Sequence, residues 1–238
     1  MPELEKWVLH RIYELYNKIC DHTENYRLNE IYKDIYNFCN IDLSAFYFDI
    51  RKDTLYCADF NSVERRSCRT VMDILFNSIT TWLAPILCFT SEEAWQNRYK
   101  EDNDSVHLNE YKKPEENWMD SKISLKWNKI RDLRMSVNNE IEEKRKVGEI
   151  GSSLEAKIKL EVNENFYDFL QKFDLNEIFI CSDVSMFLNS KLIDYEVNVF
   201  AEKAIGMKCE RCWKVLWEVN EKTKLCIRCE KVLDKIID

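Results

Sequence analysis

Three glycines and three prolines in 238 residues leave this chain almost without the residues that reverse or break a backbone. All-β folds need a turn signal every eight to twelve residues or so. Sandwiches and barrels are therefore disfavoured and long helices expected. With 45% hydrophobic and 13% aromatic residues there is ample apolar surface to bury, which excludes a disordered chain. The expected fold class is mostly α: an antiparallel helix bundle, then a small α+β unit, then a four-cysteine zinc module.

Periodicity places the parts. Leu4, Trp7, Val8, Ile12, Leu15, Tyr16 and Ile19 keep helical spacing, as do Leu28, Ile31, Ile35, Tyr36 and Cys39 in a second helix. A third runs from about Ser62 through Val71, Ile74, Leu75 and Ile79, and Pro85 breaks it. Thr90 with Glu93 fits a capping box opening a helix that carries Ala94 and Trp95. Over residues 100–120 periodicity fails and charge concentrates, which predicts a surface loop and a domain edge. A long helix with the stripe Ile123, Trp127, Ile130, Leu133, Val137 and Ile141 follows, ended by Gly148 and Gly151. The period then falls to 2, with Ala156, Ile158, Leu160 and Val162 alternating with Lys157, Lys159 and Glu161, the mark of a half-buried strand. Residues 165–173 suit a short helix, and 178–181 and 195–201 supply two more strands. The expected divisions are 1–120, 121–205 and 206–238.

Cys209-x2-Cys212 and Cys226-x2-Cys229, separated by thirteen residues, form the most specific motif. Two residues between cysteines let a tight knuckle aim both sulfurs at one point, and two knuckles complete a tetrahedral shell for one Zn(II). With all four positions filled by protein, the ion is expected to be structural. The other six cysteines (20, 39, 57, 68, 88 and 181) sit singly among apolar neighbours and are expected to be buried, reduced thiols.

A formal charge of −8 argues against coating nucleic acid by bulk charge, so charge has to be read locally. Residues 203–231 hold eight basic side chains against four acidic ones, Arg211, Lys214 and Arg228 among them. Trp213, directly after the second cysteine, can offer a plane for an unpaired RNA base or pack over the knuckle. Arg65, Arg66 and Arg69 cluster at the start of the third helix, able to brace phosphates or to pair with carboxylates such as Asp59 and Glu64. The long helix carries seven basic residues against four acidic ones between 126 and 146, a pattern that suits a solvated face. No P-loop, Gly-rich dinucleotide loop, nucleophile elbow or zinc-protease helix is present, and His10, His22 and His107 lie far apart, so the residues offer binding and not catalysis. No run approaches a membrane span and the start lacks a signal peptide's pattern, so a cytoplasmic, monomeric protein without membrane contact is expected.

SVERRSCRT at 62–70, WLAPILCFTSEEAW at 82–95, GSSLEA at 151–156 and KCERCWKV at 208–215 together resemble the C-terminal part of bacterial isoleucyl-tRNA synthetase, a class I family, over nearly the whole chain. The resemblance implies that the bundle docks on the anticodon stem and loop of isoleucine tRNA, with the α+β junction and zinc module approaching the anticodon. It also implies metal ligation by Cys209, Cys212, Cys226 and Cys229, and anticodon-loop contact by Trp213. The H-I-G-H-like and K-M-S-K-S-like signatures that grip ATP are missing, so ATP and Mg belong to a catalytic part outside these residues, and the chain alone is expected to be inactive. Two other readings remain. The ends also match a formamidopyrimidine-type DNA glycosylase, in which Pro2 would be the nucleophile and Glu3 an acid, but the Gly-rich β-sandwich of that family conflicts with three glycines and long helices. A zinc-ribbon protein-interaction module would suit the acidic total.

Overall fold

The first apolar stripe forms α1 (Glu3–Glu24), burying Leu4, Trp7, Val8, Ile12, Leu15 and Ile19, in a computed structural model that describes residues 1–100 and 104–237. Contacts divide the chain into two units, one of Met1–Arg51 with Phe60–Leu125, the other of Lys52–Asp59 with the residues from Lys126 onward.

From the first unit α2 (Leu28–Asn37) continues without a break into a π-helical stretch, Phe38–Phe48, and then α3 (Asp49–Cys57), whose residues from Lys52 onward are counted in the second unit. The wider turns shift the phase of the helix, so that Phe38, Leu43, Phe46, Tyr47 and Ile50 stay buried although their spacing departs from 3.6. The helix expected to end near Cys39 therefore runs on for eighteen residues more, to Cys57. α4 (Val63–Leu83) starts as expected, with the Ser62 hydroxyl accepting from Arg65 N at 3.2 Å.

α5 (Cys88–Arg98) begins two residues before Thr90, so the capping box does not form, and no side chain caps this end. Glu92 instead turns its carboxylate to Ser105 Oγ and Val106 N, both 2.9 Å away. These bonds seat the buried Val106 against Ala84 and Trp95. The expected loop at 100–120 contains two 3-10 turns, Val106–Leu108 and Glu116–Trp118, while residues 101–103 of it lie outside the described residues. An ion pair lies deep in this unit. Arg51 Nε and Nη2 each donate to Glu5 at 2.7 Å, Tyr47 adds its hydroxyl at 3.2 Å, and Glu5 and Arg51 are 0% and 3% exposed.

The second unit takes up α6 (Ser121–Lys146) from Lys126 onward. Its stripe is buried as expected, and Gly148, at φ +74°, ends it by donating to Arg145 O at 3.0 Å. β1 (Ala156–Val162) is the central strand of three, parallel to β2 (Asp183–Leu188) and antiparallel to β3 (Val197–Lys203). Ala156, Ile158, Leu160 and Val162 face the core, and α7 (Glu164–Leu170) opens on the Asn163 cap.

Residues 178–181 are not the expected strand. α8 (Leu175–Ile178) and a left-handed Ile180 occupy that stretch, and Leu175, Ile178, Phe179 and Cys181 are buried at the spacing of helical turns. Extended backbone starts only at Asp183. Among the six single cysteines, Cys57, Cys68 and Cys181 are buried, Cys20 and Cys39 are partly so, and Cys88 is exposed, which corrects the expectation for that residue.

Candidate metal centre and nucleic-acid surface

After β3 the chain makes a short hairpin, β4 (Met207–Lys208) against β5 (Val215–Leu216), and closes with α9 (Ile227–Ile237). Cys209 and Cys212 lie in the hairpin turn, Cys226 directly before α9 and Cys229 in its first turn. The turn closes because Trp213 takes φ +65° and returns its N–H to Cys209 O at 2.8 Å, while Cys209 N donates to Lys214 O at 2.9 Å. Lys224, at φ +58°, reverses the chain before the second pair.

Gly206 is required here. At φ +139°, a Cβ on it would sit 2.6 Å from the Leu216 carbonyl carbon and oxygen and 2.9 Å from Trp217 N. Only a bare backbone lets the two sides of the hairpin approach this closely.

All four cysteines are buried and their Sγ atoms lie within 4.8 Å of one another, Cys212 and Cys226 at 3.8 Å. Metal–sulfur bonds of about 2.3 Å in a tetrahedron put sulfurs about 3.8 Å apart, so the spacing fits a bound ion. Cys226 N donates to Cys209 Sγ at 3.3 Å, a bond that favours thiolate. Burial opposes ionisation at Cys209, but backbone N–H groups of Cys212, Cys226 and Arg211 outweigh it and bring the thiol down to about 7. Burial and the neighbouring sulfurs push Cys212 up to about 11. Apart from the cysteines, the small core around the site consists of buried Val219 and partly buried Met207, Leu216 and Leu225. These four sulfurs can hold a metal ion.

The residues around the site divide by what they touch. Arg211 donates to Cys57 O at 2.8 Å and Tyr56 O at 3.3 Å, capping the last carbonyls of α3. Arg228 grips Asp53 through both Nη atoms, one at 2.8 Å, and Lys235 reaches Asp59 at 2.6 Å. Burial alone would raise the Asp53 carboxyl, but hydrogen bonding and charge from Arg228 hold it below the usual carboxylate range. Arg211 and Arg228, expected at an RNA surface, thus fasten the knuckles to residues 53–57.

Trp213 is 59% exposed, its indole fixed by Nε1 donating to Glu210 O at 3.1 Å. That bond uses the ring's edge and leaves its face to solvent. Lys214 is partly buried, and its charge acts on the Asp53 carboxyl and the Cys181 thiol, favouring the ionised form of each. Arg65, partly buried, stacks on Phe60 at 4.4 Å, whereas Arg66 is exposed. The cations of α6 are also largely engaged: Lys126 and Lys129 stand over Phe173 and Tyr195 at 4.5 and 3.7 Å, Arg134 is buried, and Lys144, Arg145 and Lys146 pair with Glu149, Glu142 and Glu143.

One surface residue escaped sequence reasoning. Trp217, 79% exposed, follows β5 where Gly206 packs. The available signal was a second indole in a module too small to bury it.

The profile described as "Anticodon-binding domain of tRNA ligase" matches residues 5–160. The chain is 42% identical over 239 residues to the isoleucine–tRNA ligase of Gluconobacter oxydans (strain 621H), covering 98% of this chain and 24% of that protein. It is 41% identical over 215 residues to that of Pelagibacter ubique (strain HTCC1062), covering 90% and 23%, and 38% identical over 238 residues to that of Zymomonas mobilis (strain ATCC 31821), covering 98% and 25%. The chain spans about a quarter of the length of these curated relatives. A match over residues 5–160 of 238, which leaves the metal-ligand set outside it, shows that the chain belongs to the family of anticodon-binding domains of tRNA ligases.

Proposed function

We propose that this chain binds the anticodon region of isoleucine tRNA, as the anticodon-reading part of an isoleucine–tRNA ligase. The observation that carries the reading at residue level is Trp213: an indole pinned by its edge, 59% exposed and followed in sequence by Lys214. A base stacked on such a plane contributes about 1–3 kcal/mol, and a neighbouring cation attracts the adjoining phosphate. Arg66 belongs to the same RNA-facing set. Arg65, Arg211 and Arg228 belong to it as well, and in addition hold the fold through Phe60, the end of α3 and Asp53.

The ion is Zn(II), which four thiolates in a tetrahedron favour over harder metals, held by Cys209, Cys212, Cys226 and Cys229. With its shell filled by protein, it supplies rigidity to the knuckle under Trp213 and no chemistry of its own. Charging of tRNA with isoleucine, with its ATP and Mg, belongs to the portion of the relatives beyond this match. The functional divisions 1–120, 121–205 and 206–238 and a monomeric, cytoplasmic protein fit this role. Among the described residues, no helix is long and apolar enough to cross a membrane.

Fluorescence anisotropy with an isoleucine anticodon stem–loop tests the assignment. Trp213→Ala with its zinc content intact should weaken binding at least fivefold, corresponding to about 1 kcal/mol. Unchanged affinity would remove Trp213 from the interface.

A further inference from the structure

We propose that Ser182 and Glu155 are positioning residues for the RNA contact: with the turn at 151–156 they form a socket that fixes the direction in which the zinc hairpin presents Trp213. This rests on the anticodon reading of Trp213 above and adds what orients that ring. GSSLEA at 151–156, which neither the metal site nor the stacking plane uses, supplies most of the socket.

Both strands of the hairpin are tied to it. On the β5 side, Val215 N donates to Ser182 Oγ at 2.7 Å, and that hydroxyl donates in turn to Leu154 O. Ser182 is 5% exposed and its own N–H donates to Ala156 O at 3.0 Å, so the hydroxyl is held by the sheet beside it. On the β4 side, Ala204 N donates to Glu155 O at 2.8 Å and Lys208 Nζ to Glu155 Oε1 at 3.3 Å, while Gly151 N donates to the other carboxylate oxygen at 3.2 Å. The Gly151 N–H and the Lys208 ammonium hold this carboxyl below its ordinary range, so it stays an acceptor. The successive carbonyls of Leu154, Glu155 and Ala156 and one carboxylate are thus committed to Ser182 and the root of the hairpin.

Ser182 is brought into place by an unusual turn. Ile180, two residues before it, follows α8 in the left-handed region at φ +53°, where glycine is common and a β-branched residue is rare. Such outliers persist only where the surrounding structure fixes them. Here Cys181 N, bonded to Asn176 O at 3.2 Å, closes the turn and delivers Ser182 to the start of β2.

The arginine clasps on residues 53–57 hold the cysteine loop and α9, but a body fastened only there can still tilt. Ties on β4 and β5 remove that freedom, and Trp213 lies two residues from Val215. A base stacks on an indole whose plane is already set more tightly than on one that must be ordered during binding.

Ser182→Ala in the full chain, loaded with one equivalent of zinc, tests this. Residual dipolar couplings read direction: the Trp213 Nε1–H, pinned to Glu210 O, should share one alignment tensor with the β1 amides in the parent protein and depart from it in the variant. Protection of the β1 amides should be kept, exchange at the Val215 amide should rise roughly tenfold, and affinity for the isoleucine anticodon stem–loop should fall roughly fivefold. The slope of log K against log salt should not change, because no phosphate contact is lost. Trp213 couplings that still fit the sheet's tensor in the variant, or that fail to fit it in the parent, overturn the socket. A loosened Trp213 with parental affinity overturns its part in RNA binding. Should the variant not fold, Glu155→Ala, at a side chain 22% exposed, takes its place with the same expected change in couplings and the same overturning result. If the parent protein does not bind the stem–loop, the anticodon reading fails, and the couplings alone decide whether Ser182 seats the hairpin.

Discussion

Removing the metal should unfold residues 206–230 and leave the three-stranded sheet intact. In that module the apolar side chains other than cysteines are buried Val219 and partly buried Met207, Leu216 and Leu225. Full burial of such a side chain is worth about 1.5–3 kcal/mol, and three of the four are only partly covered, so together they give less than about 10 kcal/mol. Zinc in a closed cysteine-rich site contributes about 10–16 kcal/mol. The metal term therefore exceeds what the module's own apolar contacts can offer, and its loss cannot be absorbed locally. Hydrogen exchange read by NMR, before and after a strong chelator, resolves the effect by residue. The amides of Cys209, Trp213 and Cys226, bonded to Lys214 O, Cys209 O and Cys209 Sγ, should fall to unfolded-chain exchange rates. The β1 amides should keep their protection. If those three amides stay protected once metal is below a tenth of an equivalent, the hairpin is held by its own packing and the metal's structural role is wrong.

Gly206→Ala should weaken zinc binding more than tenfold in competition with a chromophoric chelator, since its Cβ meets backbone at 2.6 Å and strained φ at a residue other than glycine costs about 1–3 kcal/mol; equal affinity would mean that the hairpin relaxes freely. Arg51→Met should cost about 3–5 kcal/mol in urea unfolding because it strands the fully buried Glu5 carboxylate, and Glu5→Leu/Arg51→Met should recover most of that loss. A single-variant cost under about 1 kcal/mol contradicts the buried pair. The depressed Asp53 carboxyl gives a pH dependence of definite sign. Its unfolded value is near 3.9, so its stabilisation is fully present above that pH and is lost as pH falls through the lower folded value. Asp53→Asn should flatten this acid limb relative to the parent protein at matched metal loading, and identical limbs would exclude the Arg228 clasp.

Where structure follows from neighbours along the chain, the sequence was legible. The stripes of α1, α4 and α6 and the alternation of β1 each reflect one period, and the Ser62 cap is a local bond. The cysteine quartet was legible because two-residue knuckles leave few ways to point four sulfurs. Misreadings arose where the period itself changes, as in the π-helical stretch that carries α2 into α3, and where apolar residues in tight turns imitate a strand, as at 178–181. Structural ties are illegible where a side chain's partner is remote. Arg228 and Asp53 are 175 positions apart and Arg211 and Cys57 are 154 apart, so nothing near either arginine announces that its charge is used to hold the fold. Arg65 and Arg66, adjacent in sequence, separate by the face of α4 on which each falls: one finds the nearby Phe60 ring and the other faces solvent. Exposure of Trp213 and Trp217 follows from how little the zinc module can bury, a property of the folded module and not of either residue.

The most direct measurement is the affinity of the zinc-loaded chain for an isoleucine anticodon stem–loop and for the acceptor minihelix of the same tRNA, each titrated across salt. Anticodon recognition requires tighter binding to the stem–loop, falling log-linearly with salt as phosphate contacts are screened. Equal affinity for the two RNAs, or no salt-dependent binding to the stem–loop, would contradict it.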